Sequence, residues 1–171
     1  DGRNNPVWKT IALVGLGAGG HGYFALDITD PESPAHLFAI ENDPTNQAVR
    51  HWNKDGFKNE FGYAGGSIDA NMDYRKLGEA WSTPRIIRIK HNNKDKWVAV
   101  FGGGYNGSVN PNYGSAVFVM DLEDEGRLLQ NIDITDVSSS NIVNSVPADL
   151  TVITADGTDK ANYNGAMIYV P

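Results

Sequence analysis

Apolar and polar residues alternate over short stretches of this chain, and no window of eleven or more residues keeps a helical period. Segments 7–16, 22–28, 36–40, 84–89, 97–101, 115–122, 127–134, 150–153 and 166–170 are rich in Val, Ile, Phe, Tyr and Trp. Gly, Asn, Asp or Pro closes most of them. Each is predicted to be a β-strand. The best helix candidate, 68–77, amounts to one or two turns. Many short strands separated by turn signals predict an all-β fold: a sandwich, a barrel or a propeller.

Internal repetition separates these three. Gly22-Tyr-Phe-Ala-Leu-Asp27-Ile-Thr-Asp30 aligns with Ala116-Val-Phe-Val-Met-Asp121-Leu-Glu-Asp124 at a constant offset of 94 residues. Each copy ends in an Asp-x-x-Asp corner and leads into another apolar strand. Ser82-Thr-Pro84 and Ser145-Val-Pro147 form a second pair, 63 residues apart, each ahead of a strand. Residues 80–135 thus read as one complete antiparallel, four-stranded propeller blade. Part of a blade, 7–42, precedes it and lacks its first strand, and 144–171 holds two strands of a third. Segment 43–79 reads as an inserted loop, polar and rich in Gly, Asn and Asp, that accounts for the unequal offsets. Closed propellers need about four to eight blades. The chain is therefore expected to be a fragment of a propeller, or a remodelled one that covers its open edges with another chain.

Charge and composition narrow the function classes. Across 171 residues, 14 Lys and Arg stand against 21 Asp and Glu, a net charge of −7. A nucleic-acid partner needs a basic face, so none is expected, and an anionic membrane surface is disfavoured for the same reason. With no cysteine there is no disulfide, thiolate zinc site or cysteine nucleophile. The apolar run 11–20 follows Arg3 and Lys9 as in a signal peptide, yet it runs into Gly20-His21-Gly22 and reads as a strand. No run reaches the roughly 18 residues of a membrane-spanning helix.

Chemical motifs are few. Gly15-Leu-Gly-Ala-Gly-Gly20 satisfies G-x-G-x-x-G, but a dinucleotide site needs its third glycine to open a helix. Here a β pattern follows and then Asp30-Pro31, which predicts a glycine-rich hairpin instead. His21, His36, His51 and His91 fall in no metal-ligand spacing, and no nucleophile elbow or phosphate loop is present. Loop 152–160 contains Asp156-Gly157, as calcium loops do. Aligned on that pair, Val152 and Thr154 fill the first and third ligand positions and Lys160 the ninth. A plain strand-to-strand turn is the first reading there, and calcium near Asp156 and Asp159 the alternative.

The residues already singled out also carry a resemblance. The stretch 15–31, Gly-Leu-Gly-Ala-Gly-Gly-His-Gly-Tyr-Phe-Ala-Leu-Asp-Ile-Thr-Asp-Pro, resembles the G-G-x-G-Y-x-A-L-D-V-T-D-P signature of the PilY/PilC family, the type IV pilus tip-associated adhesins and biogenesis factors. Leu77-Gly-Glu-Ala-Trp-Ser-Thr-Pro-Arg-Ile86 is similar to the family's L-G-x-x-W-S-x-P-R-I. Trp97-Val-Ala-Val-Phe-Gly-Gly-Gly-Tyr-Asn106 is similar to W-V-A-V-F-G-N-G-Y-N, and 114–122 ends, like a further family block, in V-x-D-L. These blocks keep the family's order over roughly residues 8–135.

The resemblance implies a modified, quinoprotein-like β-propeller. It also implies an exported protein at the pilus tip, cell surface or outer membrane and periplasm, supporting pilus biogenesis, retraction control and adhesion. Its partners would be minor pilins and host or abiotic surfaces. Family members often carry a D-x-D-x-D-G-x-x-D calcium loop where this chain has 152–160. The chain departs from that pattern, so no metal ligand and no cofactor is assigned. No Arg-Gly-Asp tripeptide is present.

In this reading the blades form a stiff scaffold and loops make contacts. The candidate binding residues are the aromatics of the inserted loop, Trp52, Phe57, Phe61, Tyr63 and Tyr74. The alternative role for them is to pack that loop onto the propeller rim. The rival function is enzymatic, a fragment of a pyrroloquinoline quinone-type dehydrogenase. That chemistry needs calcium, a catalytic Asp and cofactor-clamping residues. No such set is found, and no catalytic residue is assigned.

Overall fold

The computed structural model describes residues 8–64, 68–107, 113–135, 145–154 and 166–171. Among these residues, eleven strands and one short helix follow in order. They are β1 Ile11–Gly15, β2 Gly22–Asp27, β3 Ala35–Asp43, β4 Ala48–Trp52, β5 Lys58–Gly62, a 3-10 helix at Ala70–Met72, β6 Arg85–His91, β7 Lys94–Gly102, β8 Ala116–Asp121, β9 Leu128–Asp133, β10 Thr151–Thr154 and β11 Ala166–Tyr169. Every pairing is antiparallel between chain neighbours. The result is a five-stranded sheet β1 to β5, a four-stranded sheet β6 to β9 and a two-stranded sheet β10 and β11.

Side-chain alternation explains how the sheets stack. On β7, Ala99 and Phe101 face one way and Val98 and Val100 the other; on β8, Phe118 and Met120 oppose Val117 and Val119. The four-stranded sheet is therefore apolar on both faces. Phe101, Phe118, Met120 and Leu128 share one core with Tyr23, Phe38, Ile40 and Val49 of the five-stranded sheet. The Tyr23 and Phe101 rings lie 4.4 Å apart at 45°, at the close edge of the favourable range for tilted pairs, and Phe101 meets Phe118 at 5.6 Å, inside it. Behind the central sheet, Val98, Val100, Val117 and Val119 close on Val146 and Leu150, with Val152 and Ile168 of the two-stranded sheet. Burial of each such side chain contributes about 1.5–3 kcal/mol. Three sheets thus stack face to face in chain order, as blades do.

The two larger sheets repeat one pattern. Asp27 lies opposite Ile11 at the end of the β1–β2 pair, and Asp121 lies opposite Val98 at the end of the β7–β8 pair. Strands β1, β2 and β3 therefore correspond to β7, β8 and β9. Among the described residues β6 has no counterpart beside β1, whereas β4 and β5 extend the opposite edge of their sheet. The glycine-rich G-x-G-x-x-G string is the hairpin between β1 and β2, with Gly17 bridged to Ala80. Gly104 occupies the corresponding place after β7, bridged to Val146. It sits at φ +87, and a Cβ there would run into the carbonyl of Glu79. Backbone stitching between blades accounts for much of the glycine excess.

Two expectations change. Residues 43–79 are not a loop, because β4 and β5 form a hairpin on the sheet edge and Ala70–Met72 a single 3-10 turn. The turn at 53–56 reverses the chain through Asn53, whose Oδ1 accepts from the N–H of Asp55 (3.1 Å) and of Phe57 (2.9 Å). Arg50 fastens the edge, bonding Glu41 (3.1 Å), Asp43 (2.8 Å) and Glu60 (3.0 Å) across three strands. The expected helix at 68–77 is limited to that one turn. Met72, Tyr74 and Leu77 are all fully buried, a spacing that packs an irregular segment between the sheets rather than one helix face.

Candidate functional site

The five aromatic residues of segment 43–79 reach different environments. Phe57, at the tip of the β4–β5 hairpin, is 69% exposed. Trp52 ends β4 half-buried and, with Leu16, Phe24, His36 and Ala39, lines a shallow apolar recess of about 360 Å³ on the outer face of the five-stranded sheet. It continues the cross-strand row Phe24, Ala39, Trp52. Phe61 and Tyr63 are half-buried against the inter-sheet core. Tyr74 is fully enclosed, and its hydroxyl donates to the Gly126 carbonyl at 2.6 Å. Burial pushes its phenol far above the ordinary tyrosine value. Tyr74 is therefore a core anchor, absent from any contact surface, because the chain on both sides of it is clamped between sheets. Phe57 is the one exposed member of the set, and Trp52, Phe61 and Tyr63 are all half-buried.

Beside this hairpin a second, polar cleft of about 590 Å³ opens where the β3–β4 turn, the segment after the 3-10 helix and β9 converge. Gln47, Tyr63, Asp73, Arg75, Lys76, Tyr113, Asn131 and Asp133 line it together with Pro44. The Arg75 fork grips Asp73 through Nε (2.8 Å) and Nη2 (2.7 Å), and Lys76 Nζ lies 3.1 Å from Asp133. Asn131 Nδ2 donates to the Asp73 carbonyl at 3.0 Å. Asn42 Nδ2 donates to the carbonyls of Arg75 (3.1 Å) and Leu77 (2.7 Å), while its Oδ1 accepts from the Tyr63 hydroxyl. The lining is thus fixed by its own bonds. Arg75 holds the Asp73 carboxyl below its ordinary value against the opposing pull of burial. At Asp133 burial raises, but the Thr135 hydroxyl and N–H and the Lys76 ammonium together outweigh it and the net shift is downward. Both carboxylates are therefore ionised at neutral pH.

One repeated polar device escapes a reading of the sequence. At each Asp corner the carboxylate accepts the N–H two residues on, from Thr29 (3.0 Å) or Glu123 (2.9 Å). Each also pairs with a lysine two residues before its cross-strand partner, Lys9 at 2.8 Å for Asp27 and Lys96 at 2.8 Å for Asp121. The signal was available only through strand register. Among the described residues no three His, Asp or Glu side chains converge as metal ligands would. Loop 152–160 lies outside the described residues from 155 onward, so the calcium alternative near Asp156 and Asp159 falls there too.

Comparison with known sequences bears on all of this. Residues 2–169 match the sequence model of the PilY1 β-propeller domain. The chain belongs to the PilY1 β-propeller family. The type IV pilus biogenesis factor PilY1 of Pseudomonas aeruginosa strain PAO1 is 30% identical over 129 residues, 75% of this chain. The PilY1 homolog of Xylella fastidiosa strain Temecula1 is 26% identical over 160 residues, 92% of this chain. In both cases the chain spans 8% of the relative's length. No solved structure matches the chain. The PilY1 membership agrees with the stacked antiparallel sheets, which are blades of a modified propeller. It favours a pilus-related protein over a quinone-dependent dehydrogenase.

Proposed function

We propose that this chain is a non-enzymatic module of a type IV pilus-associated protein that supports pilus biogenesis and retraction control and takes part in surface or host-cell adhesion. The match of 2–169 to the PilY1 propeller domain carries this reading. The rest follows from the division of labour within the fold. Sheets locked by an aromatic core make a stiff support, and side chains exposed on an edge hairpin are free to meet a partner. In this reading Phe57 makes the contact, Trp52 belongs to the apolar outer face of the sheet, Phe61 and Tyr63 hold the hairpin to the blade, and Tyr74 anchors the segment from within. The partners are pilus components, with minor pilins first among them, and the surface met by the cell. The place of action is the exported, pilus-bearing face of the cell.

The experiment is removal and replacement of the gene for the whole protein in the organism that encodes it. Loss of surface pili and twitching, restored by the wild-type gene, is the expected result. Normal piliation and twitching in the null strain would overturn the proposal.

A further inference from the structure

We infer that the polar cleft between the β3–β4 turn, residues 73–76 and β9 is a binding site for a neutral saccharide. This inference stands on the chemistry of the cleft and is independent of the pilus reading.

Size comes first. A volume of about 590 Å³ falls within the range of small-molecule sites, and the cleft is open to solvent on one side. Charge comes next. Two carboxylates, Asp73 and Asp133, face two cations, Arg75 and Lys76, each paired with its neighbour. The lining is neutral overall, so it offers no unpaired cation to a phosphate or a sialylated glycan and no unpaired carboxylate to an amine.

Shape and hydrogen bonding complete the match. Tyr63 and Tyr113 present aromatic rings, and the His21 ring lies 5.2 Å from that of Tyr113 and steadies it. A sugar has C–H faces that pack on such rings and hydroxyls that demand donors and acceptors side by side. Carboxylates in this cleft accept, the guanidinium and ammonium donate, and the Gln47 amide does both. Because the ion pairs fix one another, little side-chain freedom is lost on binding. A peptide fits the lining less well: it seeks a free strand edge or apolar side-chain pockets, and Pro44 and the two rings are the main apolar surface here. Hydrolysis of the sugar is not expected. Cleavage needs one carboxyl kept protonated as general acid, and both carboxyls here are held ionised.

The test uses the whole protein. Saturation-transfer NMR and calorimetry are run with lactose, maltose, cellobiose and N,N′-diacetylchitobiose as neutral probes, and with sialyllactose and inorganic phosphate as anionic ones. At least one neutral disaccharide is expected to bind at millimolar or lower concentration. Its affinity should fall about tenfold or more in Tyr113→Ala, with the thermal melt of that variant unchanged. Lys76→Met, which leaves Asp133 unpaired, should weaken the same probe and strengthen none of the anionic ones. Three outcomes overturn the inference: no neutral probe binds, binding survives both substitutions, or an anionic probe binds more tightly than every neutral one. None of these touches piliation, so failure here is distinguishable from failure of the pilus reading.

Discussion

At Asp27 and Asp121 a single carboxylate turns the chain and ties two strands together. Asp121 is almost fully buried, and its removal strips a backbone N–H and the Lys96 ammonium of their shared partner. Asp121→Ala is expected to cost about 2 kcal/mol in urea unfolding, less than a fully enclosed pair because Lys96 keeps access to water. Asp27 and Asp43 make a pH statement. The Lys9 ammonium first, with Thr29, lowers Asp27 to about 2, and the Asn46 amide and N–H, with Arg50, lower Asp43 to about 2. A carboxyl lowered on folding stabilises fully above its unfolded value, about 4, and loses that contribution as pH falls through its folded value. The melting temperature should therefore drop between about pH 4 and pH 2, and Asp27→Asn should flatten part of that drop. The corners themselves are legible in the sequence as Asp-x-x-Asp. Their lysines are not, because register, rather than spacing along the chain, brings Lys9 and Lys96 to them.

Elements join through a few positions where backbone meets side chain. Gly126, at φ +79 in the β8–β9 corner, is one: a Cβ there would lie 2.7–2.8 Å from Phe38 and Ile40 of the neighbouring sheet. Its carbonyl also receives the Tyr74 hydroxyl. Gly126→Ala is expected to cost about 2 kcal/mol or more, from the left-handed backbone and the overpacked contact together. Tyr74→Phe should cost about 1 kcal/mol, the net worth of one buried hydrogen bond. Chemical denaturation of the two variants checks both. The apolar strands were visible from alternation alone. Strands β4, Ala-Val-Arg-His-Trp, and β5, Lys-Asn-Glu-Phe-Gly, were not: β4 buries a histidine and carries an arginine within a polar stretch, and β5 is an edge strand that faces water on most positions and lacks an apolar face to betray it. The β6–β7 turn falls between two strands that the alternation does reveal. It is two asparagines, Asn92 and Asn93, both in left-handed conformation, which fits the mirror-image turn a tight hairpin requires.

Across the whole molecule the repeat in the sequence becomes a stack of sheets, and the two ends of the stack are both apolar. Val14, Phe24 and Trp52 lie on the outer face of the five-stranded sheet. Ile153 and Met167 face each other across the two-stranded sheet, both exposed. Blades in a ring bury such faces against their neighbours. The stack was legible because period-two strands and repeated corners encode it. The polar cleft was not, since its lining comes from five separate segments that meet only after folding. The account stands on the separation of scaffold from contact, and Phe57 isolates it: the side chain is exposed at a hairpin tip and supports no core. The decisive measurement is attachment per piliated cell in a strain whose full-length protein carries Phe57→Ser. Attachment several-fold lower at an unchanged number of pili is expected. Unchanged attachment at equal piliation would contradict the account.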